Sequence, residues 1–328
     1  MAGEYSLFSP LHPVRKRTLV RSLTVWCMPD LTLPMTILIT GAAGEIGSRM
    51  VRRFHEQGHA VRALVLPGDP LAARLGDAAH IHFGDVTKPE TLAAVFAGVE
   101  VVYHLAAVLL CEKAELFQAV NVGGTRNVAA AAEAAGVRHL IHISSVSVVY
   151  PNTTHYSRSK RQAEDVVTAC QKVAWTLVRP TLVYDRDGGL EFKLYADFVK
   201  RYPVVPMVAG GRARKRPVHV DDLLSGLLAM AGNPVTFGKT YHLSGGETVT
   251  LRELAELMLE RQGLKKPMLT IPASLCGIAA RIWGTLNRRP LLMEHTLAGL
   301  TQDADLDHST ATQDLGYQPI GVRAGILR

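Results

Sequence analysis

The stretch Thr36-Ile37-Leu38-Ile39-Thr40-Gly41-Ala42-Ala43-Gly44-Glu45-Ile46-Gly47 constrains the fold of this chain more than any other. A short apolar run ends in glycines spaced three apart, and Met50, Val51 and Phe54 follow at helical spacing. Strand, glycine turn and helix in that order form the unit of a parallel α/β sheet, because parallel strands need a crossover and a helix supplies it. Such a turn also carries chemistry. Glycine lets bare backbone approach a ligand, and the helix that starts there directs its first N–H groups at an anion such as a pyrophosphate. Gly41, Gly44, Glu45, Ile46 and Gly47 are therefore candidate cofactor-binding residues.

The alternation continues. Apolar patterning predicts strands over 36–40, 60–66, 80–83, 100–104, 139–144 and 175–179, and helices over 46–57, 89–97, 114–135 and 156–173. Gly58, Gly98 and Gly136 stand near three of the helix ends, where a C-terminal cap favours glycine. Residues 35–184 thus read as a Rossmann-like, doubly wound parallel sheet that binds a dinucleotide. Beyond about residue 185 the alternation fails. There Thr250 and Glu253 form a capping box at the start of a further helix. Residues 185–328 are expected to form mainly a smaller C-terminal substrate-binding domain, with about 215–243 returning to the first. Residues 1–34 carry Arg15-Lys16-Arg17, several prolines and no periodicity; a disordered extension or a mis-called start is expected.

Composition narrows the class. The longest nearly uncharged stretches, such as Val101 to Leu110, fall short of the ~18 residues a membrane span needs. The net charge of +7 is spread along the chain, and its densest cluster, Arg212 to Arg216, has no interleaved aromatic residues. A solvated loop or a small anionic ligand explains it better than nucleic acid. Four scattered cysteines (Cys27, Cys111, Cys170, Cys276) form no Cys-x-x-Cys pair, which argues against a disulfide scaffold or a zinc ribbon. A reducing cytoplasm is the expected setting.

Ligands of doubly wound sheets lie beyond the carboxyl ends of the strands. Asp85 and Val86 follow the third strand and offer a carboxylate and a backbone N–H to an adenine edge. Leu105, Ala106 and Ala107 follow the fourth, and the small alanines let a ribose approach. Ser144, Ser145 and Ser147 follow the fifth; Pro180 and Val183 follow the sixth. Tyr156 and Lys160 stand four apart on one helix face. An adjacent ammonium favours phenolate, so this pair can move a proton at an alcohol carbon.

At these residues the chain resembles the extended short-chain dehydrogenase/reductase family, which includes NAD-dependent epimerases, dehydratases and 3β-hydroxysteroid-dehydrogenase-like enzymes. The resemblance covers nearly all of 35–328. It is carried by the glycine turn, Gly84-Asp85-Val86, His104-Leu105-Ala106-Ala107, Asn121-Val122-Gly123-Gly124-Thr125, Ile143-Ser144-Ser145, Tyr156/Lys160, Arg179-Pro180, His219-Val220-Asp221-Asp222 and Asp314-Leu315-Gly316-Tyr317. It implies Tyr156 as acid/base, Lys160 as its electrostatic partner and Ser145, ahead of Ser144, as the residue that orients the substrate oxygen. It also implies a homodimer packed through helices 114–135 and 156–173.

Departures from the family pattern are informative. Val65 and Leu66 stand where an acid or arginine usually reads the adenosine ribose. The missing cation favours NAD and leaves NADP open. Leu182 replaces the asparagine of sugar-nucleotide members, and Lys215-Arg216-Pro217 replaces their Arg-Asp-aromatic. Both changes disfavour a nucleotide sugar. The pair Val146-Ser147 lacks the acids of the dehydratases. Leu275, Ile278, Ala279 and Ile282, with Trp283 beside them, form a stripe that reads as core packing or as cover for an apolar substrate.

Other features read as structural. Asp303-x-Asp305-x-Asp307 mimics a calcium loop, but His308 stands where the loop needs glycine. His104, His142 and His219 have no metal spacing, and Asn121 is expected to bond backbone within its own helix region, although in related folds an asparagine assists a proton-relay water. The leading reading is an NAD(P)-dependent oxidoreductase or epimerase acting on a small-molecule secondary alcohol or ketone. The alternative is a cofactor-binding sensor or scaffold without turnover.

Overall fold

A computed structural model describes residues 33–111, 113–185, 189–272 and 299–326. The stripe at Leu275 to Trp283 and all but the last two residues of the 1–34 extension lie outside the described residues. Six strands follow the predicted order: β1 (Thr36–Thr40), β2 (Ala60–Val65), β3 (His80–Phe83), β4 (Val101–His104), β5 (His139–Ile143) and β6 (Ala174–Pro180). A later strand, β11 (Lys239–Leu243), adds to the edge beside β6, giving a seven-stranded sheet ordered β11-β6-β5-β4-β1-β2-β3. Every pairing within it is parallel.

Side-chain alternation along each strand builds two cores. Ile37 and Ile39 face one side, with Met50, Val51 and Phe54 of α1 (Glu45–Glu56), Tyr103, and Leu223 and Leu227 of α7 (Val220–Leu228). Leu38 faces the other side, with Val102, Leu140, Phe96 of α2 (Ala93–Phe96), Val128 of α4 (Thr125–Ala134) and Val167 of α5 (His155–Thr168). Burial on both faces explains why these strands read as continuous apolar runs. Strand order reverses between β1 and β4, where Thr40 and His104 are register partners. That reversal opens the crevice in which such sheets bind ligands.

Three predicted helices differ in detail. The 89–97 segment breaks into a short 3-10 turn, Pro89–Thr91, and α2, with the Thr91 hydroxyl 2.8 Å from the Lys88 carbonyl and 3.1 Å from the Asp85 carbonyl. The 114–135 segment is one turn, α3 (Ala114–Leu116), then a π-helix over Phe117–Gly124, then α4. Gly124 presses on Val86 within it: a Cβ at Gly124 would lie 2.7 Å from Val86 Cγ2. The 156–173 helix stops at Thr168, and the Gln171 and Lys172 N–H groups donate to the Glu133 carboxylate instead.

The remaining elements are β7 (Val183–Tyr184), α6 (Leu190–Arg201), β8 (Val205–Val208), β9 (Arg214–Lys215), β10 (Val218–His219), β12 (Val249–Thr250), α8 (Leu251–Arg261) and β13 (Met268–Ile271). They pair as β7–β10, β8–β13 and β9–β12 around a third core that includes Tyr184, Phe192, Val205, Leu254 and Met258. The Thr250/Glu253 capping box forms as read. The aspartates that mimic a calcium loop serve the fold: Asp305 binds Arg214 and Thr248, Asp303 accepts the Arg214 N–H, and Asp307 accepts from Ser309. Among the described residues no helix is long and apolar enough to cross a membrane.

Candidate active site

The glycine turn at the end of β1 lies flat against the chain leaving β4. Gly41 has φ +68°, and a Cβ there would lie 2.8 Å from the Ala106 nitrogen; one at Gly47 would lie 2.3 Å from the Gly41 carbonyl oxygen. Neither position accepts a side chain without moving backbone. The α1 helix starts at Gly44 with no side-chain cap. The N–H groups of Glu45, Ile46 and Gly47 are therefore donors with no partner inside the helix, at its positive end. These residues fit a pyrophosphate.

The Glu45 carboxylate itself accepts the Gly189 N–H at 3.1 Å, and Arg49 one turn on pairs with Asp185. Glu45 thus offers an incoming anion its backbone, while its side chain ties the turn to the chain after β7.

The adenosine end is less polar than such sites often are. Val65 is buried and Leu66 is 52% exposed. The nearby Asp69 carboxylate is spent on the Leu71 N–H at 2.9 Å. Asp85, read as a partner for an adenine edge, turns Oδ1 onto the Thr87 N–H and hydroxyl at 2.9 and 2.8 Å. The Val86 carbonyl receives Asn127. On the other side of the crevice, Leu105, Ala106 and Ala107 are half-buried, and Thr40 accepts the Leu105 N–H on its carbonyl and the Ala106 N–H on its hydroxyl. Pro180 is buried at the end of β6, and Val183 is half-buried in β7.

Ser145 lies two residues past β5, and Tyr156 and Lys160 lie on α5, which reaches the same strand end through Lys160. Ser145 caps a 3-10 turn over Val146–Val149 and accepts from the Ser147 N–H and hydroxyl at 3.1 and 3.0 Å. Its own hydroxyl proton is left to donate. Ser145 is half-buried, whereas Ser144 is buried with its hydroxyl oxygen lacking a partner among the described residues, so Ser145 has the better access. Thr154 and Ser157 cap α5 reciprocally, which fixes the start of the helix just before Tyr156. The Tyr156 ring meets Phe117 edge-on at 6.1 Å between centroids.

One turn later Lys160 is 2% exposed, and its Nζ donates to the Ile143 carbonyl at 2.6 Å. Burial lowers its pKa to about 8, against an opposing pull from the Glu164 carboxylate. Glu164, buried one further turn on, takes a two-pronged contact from Arg179 of β6 at 2.8 and 2.7 Å. Asn121 differs from expectation. It reaches out of its π-helix to both the N–H and the carbonyl of Val108, at 2.8 and 3.1 Å, and donates to Ser159 at 3.0 Å. It thereby pins the chain after β4 against α5.

Two residues escaped the sequence reading. Glu164 follows Lys160 at helical spacing, a signal that was available; its partner Arg179 was visible only as part of a motif. His142, whose Nε2 lies 3.4 Å from Lys160 Nζ, gave no signal beyond its place on an apolar strand.

Comparison with known proteins bears on the family and the fold. The family model described as "NAD dependent epimerase/dehydratase family" matches residues 37–244. A 3 beta-hydroxysteroid dehydrogenase/Delta 5-->4-isomerase of Mycobacterium tuberculosis is 27% identical, over 87% of this chain and 86% of its own length. A ceramide reductase of Caulobacter vibrioides is 29% identical, over 87% and 88%. Among solved structures, a dTDP-glucose 4,6-dehydratase from Streptomyces venezuelae superposes with TM-score 0.71 over 90% of this chain and 95% of its own, at 24% identity, a likeness of fold.

Two outcomes are expected. Glu164→Gln strands the Arg179 guanidinium beside a buried amide and should lower folding stability by about 3 kcal/mol in denaturant titration; an unchanged midpoint would remove the pair from the fold's supports. Lys160 has a folded pKa of about 8, below its ordinary 10.5, so between those values the unfolded chain holds more protons. Stability from this residue is therefore lowest below pH 8 and recovers as pH rises. The stability difference between the native protein and Lys160→Met should shift toward the native protein by up to about 3 kcal/mol from pH 7 to 10; a difference that stays flat would refute it.

Proposed function

The chain belongs to the NAD-dependent epimerase/dehydratase family and is an NAD-dependent oxidoreductase. From that premise we propose that it interconverts a secondary alcohol and its ketone on an apolar small molecule, with Tyr156 as the proton carrier. The observation that carries this reading is that α5, which bears both Tyr156 and Lys160, sends the Lys160 Nζ to the Ile143 carbonyl at the end of β5, two residues before Ser145.

NAD, when bound, supplies the hydride acceptor for the alcohol or, reduced, the donor for the ketone. The first-turn N–H groups of α1 would hold its pyrophosphate and Lys160 its nicotinamide ribose. The rest falls to side chains. Ser145 donates its remaining hydroxyl proton to the substrate oxygen and so fixes it near Tyr156. The Tyr156 phenolate takes the hydroxyl proton during oxidation, and the phenol returns it during reduction. A buried ammonium one turn away stabilises the phenolate more than an exposed one would, because water screens it less.

An apolar substrate is supported from several sides. Leu109 and Leu110, in the chain after β4, and Val149, in the turn after Ser145, are large apolar side chains 37–39% exposed. Lys215, at the position where sugar-nucleotide members carry arginine, is 3% exposed and donates to the Gln302 carbonyl beside the Tyr150 ring. A cation held so deeply is poorly placed to receive a diphosphate. Relatives named for a hydroxysteroid and for ceramide point the same way.

Tyr156→Phe should lower kcat by about 10²–10⁴-fold with NAD affinity nearly unchanged. Retained turnover would remove Tyr156 from the mechanism. NAD binding with no turnover by the native protein, on a panel of polycyclic and long-chain secondary alcohols, would favour a sensor. At the adenosine end, Leu66→Arg offers a guanidinium to a 2′-phosphate and should move kcat/KM toward NADP by roughly tenfold; an unaltered NAD/NADP ratio would place the discriminating contact elsewhere.

A further inference from the structure

The Lys160 ammonium has three N–H groups to place. One goes to the Ile143 carbonyl at 2.6 Å, and a second faces His142 Nε2 at 3.4 Å. Both acceptors belong to β5, so together they fix the direction of the third. His142 is 1% exposed, and its Nδ1 has no hydrogen-bond partner among the described residues. For Nε2 to accept from an ammonium the ring must be neutral with its proton on Nδ1, where nothing receives it. A buried donor left that way costs about 1–3 kcal/mol. A purely packing role would be filled better by an apolar side chain.

His104, whose ring centroid lies 5.2 Å away at a tilt of 40°, shows the contrast. Its Nδ1 meets the Thr40 hydroxyl at 2.7 Å and its Nε2 the Thr125 hydroxyl at 2.9 Å. The Thr40 oxygen already receives the Ala106 N–H, and the Thr125 hydroxyl donates to the Asn121 carbonyl. Thr40 therefore donates to Nδ1, and Nε2 carries the ring proton. That histidine is fully satisfied and explained by the fold. His142 is not.

We propose that His142 is a positioning residue for the proton transfer at Tyr156: its neutral Nε2 accepts from the Lys160 ammonium, keeping that group charged and its third N–H directed away from β5. This inference rests on the catalytic reading of Tyr156 and Lys160 given above. A proton relay through the ring does not fit, because a relay needs an exit at the second nitrogen and Nδ1 has none among the described residues. The charged and titratable groups around Lys160 are His142 on β5, His104 on β4, Tyr156 and Glu164 on α5, and Arg179 on β6, which is bound to Glu164. Burial, with the neighbouring Lys160 and His104, pushes the His142 ring well below the ordinary imidazole range. Glu164 is the group in this set that favours the ammonium by its charge, and His142 adds to it as an acceptor.

The test is the pH dependence of kcat/KM for ketone reduction by NADH, in the native protein, His142→Phe, His142→Gln and Tyr156→Phe, with melting temperatures at each pH. His142→Phe keeps a planar ring and removes the acceptor, so Lys160 should lose its proton sooner. The alkaline limb should then move down by about one pH unit, with the melting temperature unchanged or raised. His142→Gln restores an oxygen acceptor and should bring the limb back toward its native position. If His142→Phe is too unstable to assay, His142→Leu takes its place, and the Gln variant retains the comparison. An unmoved limb in the apolar variant, or equal shifts in Gln and apolar variants, would overturn the proposal. Full activity in Tyr156→Phe would instead overturn the catalytic reading on which it rests.

Discussion

A buried ammonium is the constraint to which this site is built. Lys160 is almost fully enclosed, and an isolated charge in such surroundings would shed its proton or unfold the region around it. Three features offset that. The Ile143 carbonyl accepts at close range, His142 offers a second acceptor, and Glu164 supplies opposite charge from the next turn of α5. Glu164 in turn is held by Arg179 across to β6. The chemistry proposed for Tyr156 and the parallel packing of β5, β6 and α5 are thus parts of one arrangement. Disturbing the ion pair should be felt at the phenol, though neither Glu164 nor Arg179 belongs to the motif that marks the site.

The second half of the site depends on close backbone approach. Gly41 and Gly47 allow the turn to settle against Ala106 and against itself, and they leave the first N–H groups of α1 without side-chain caps. Because sheet order reverses between β1 and β4, this turn and the chain carrying Leu105 to Ala107 border the same crevice. Thr40 joins them, accepting Ala106 while contacting His104, whose ring packs at a tilt against His142, the neighbour of Lys160. A continuous buried polar layer therefore runs under the crevice from the glycine turn to α5.

Much of this was legible in the sequence because it rests on local rules. The six strands were found within about a residue or two of their ends, since both-faced burial demands continuous apolar runs. Glycine spacing locates the tight turn between β1 and α1, and the interval of four places Tyr156 and Lys160 on one face. What escaped is tertiary. Asn121 is expected to bond within its own helix, yet its amide crosses to Val108 from a π-helix that no periodicity announces. His142 is indistinguishable from a core residue until the side chain reaching it from α5 is seen.

The most direct test of the central claim is to follow the hydrogen that is transferred. An apolar secondary alcohol deuterated at its carbinol carbon would be incubated with NAD and the native protein, and the NADH formed would be weighed by mass spectrometry. Direct transfer at this site predicts NADH carrying one deuterium, with the ketone as co-product. NADH without deuterium, or NAD that binds yet is never reduced, would contradict it.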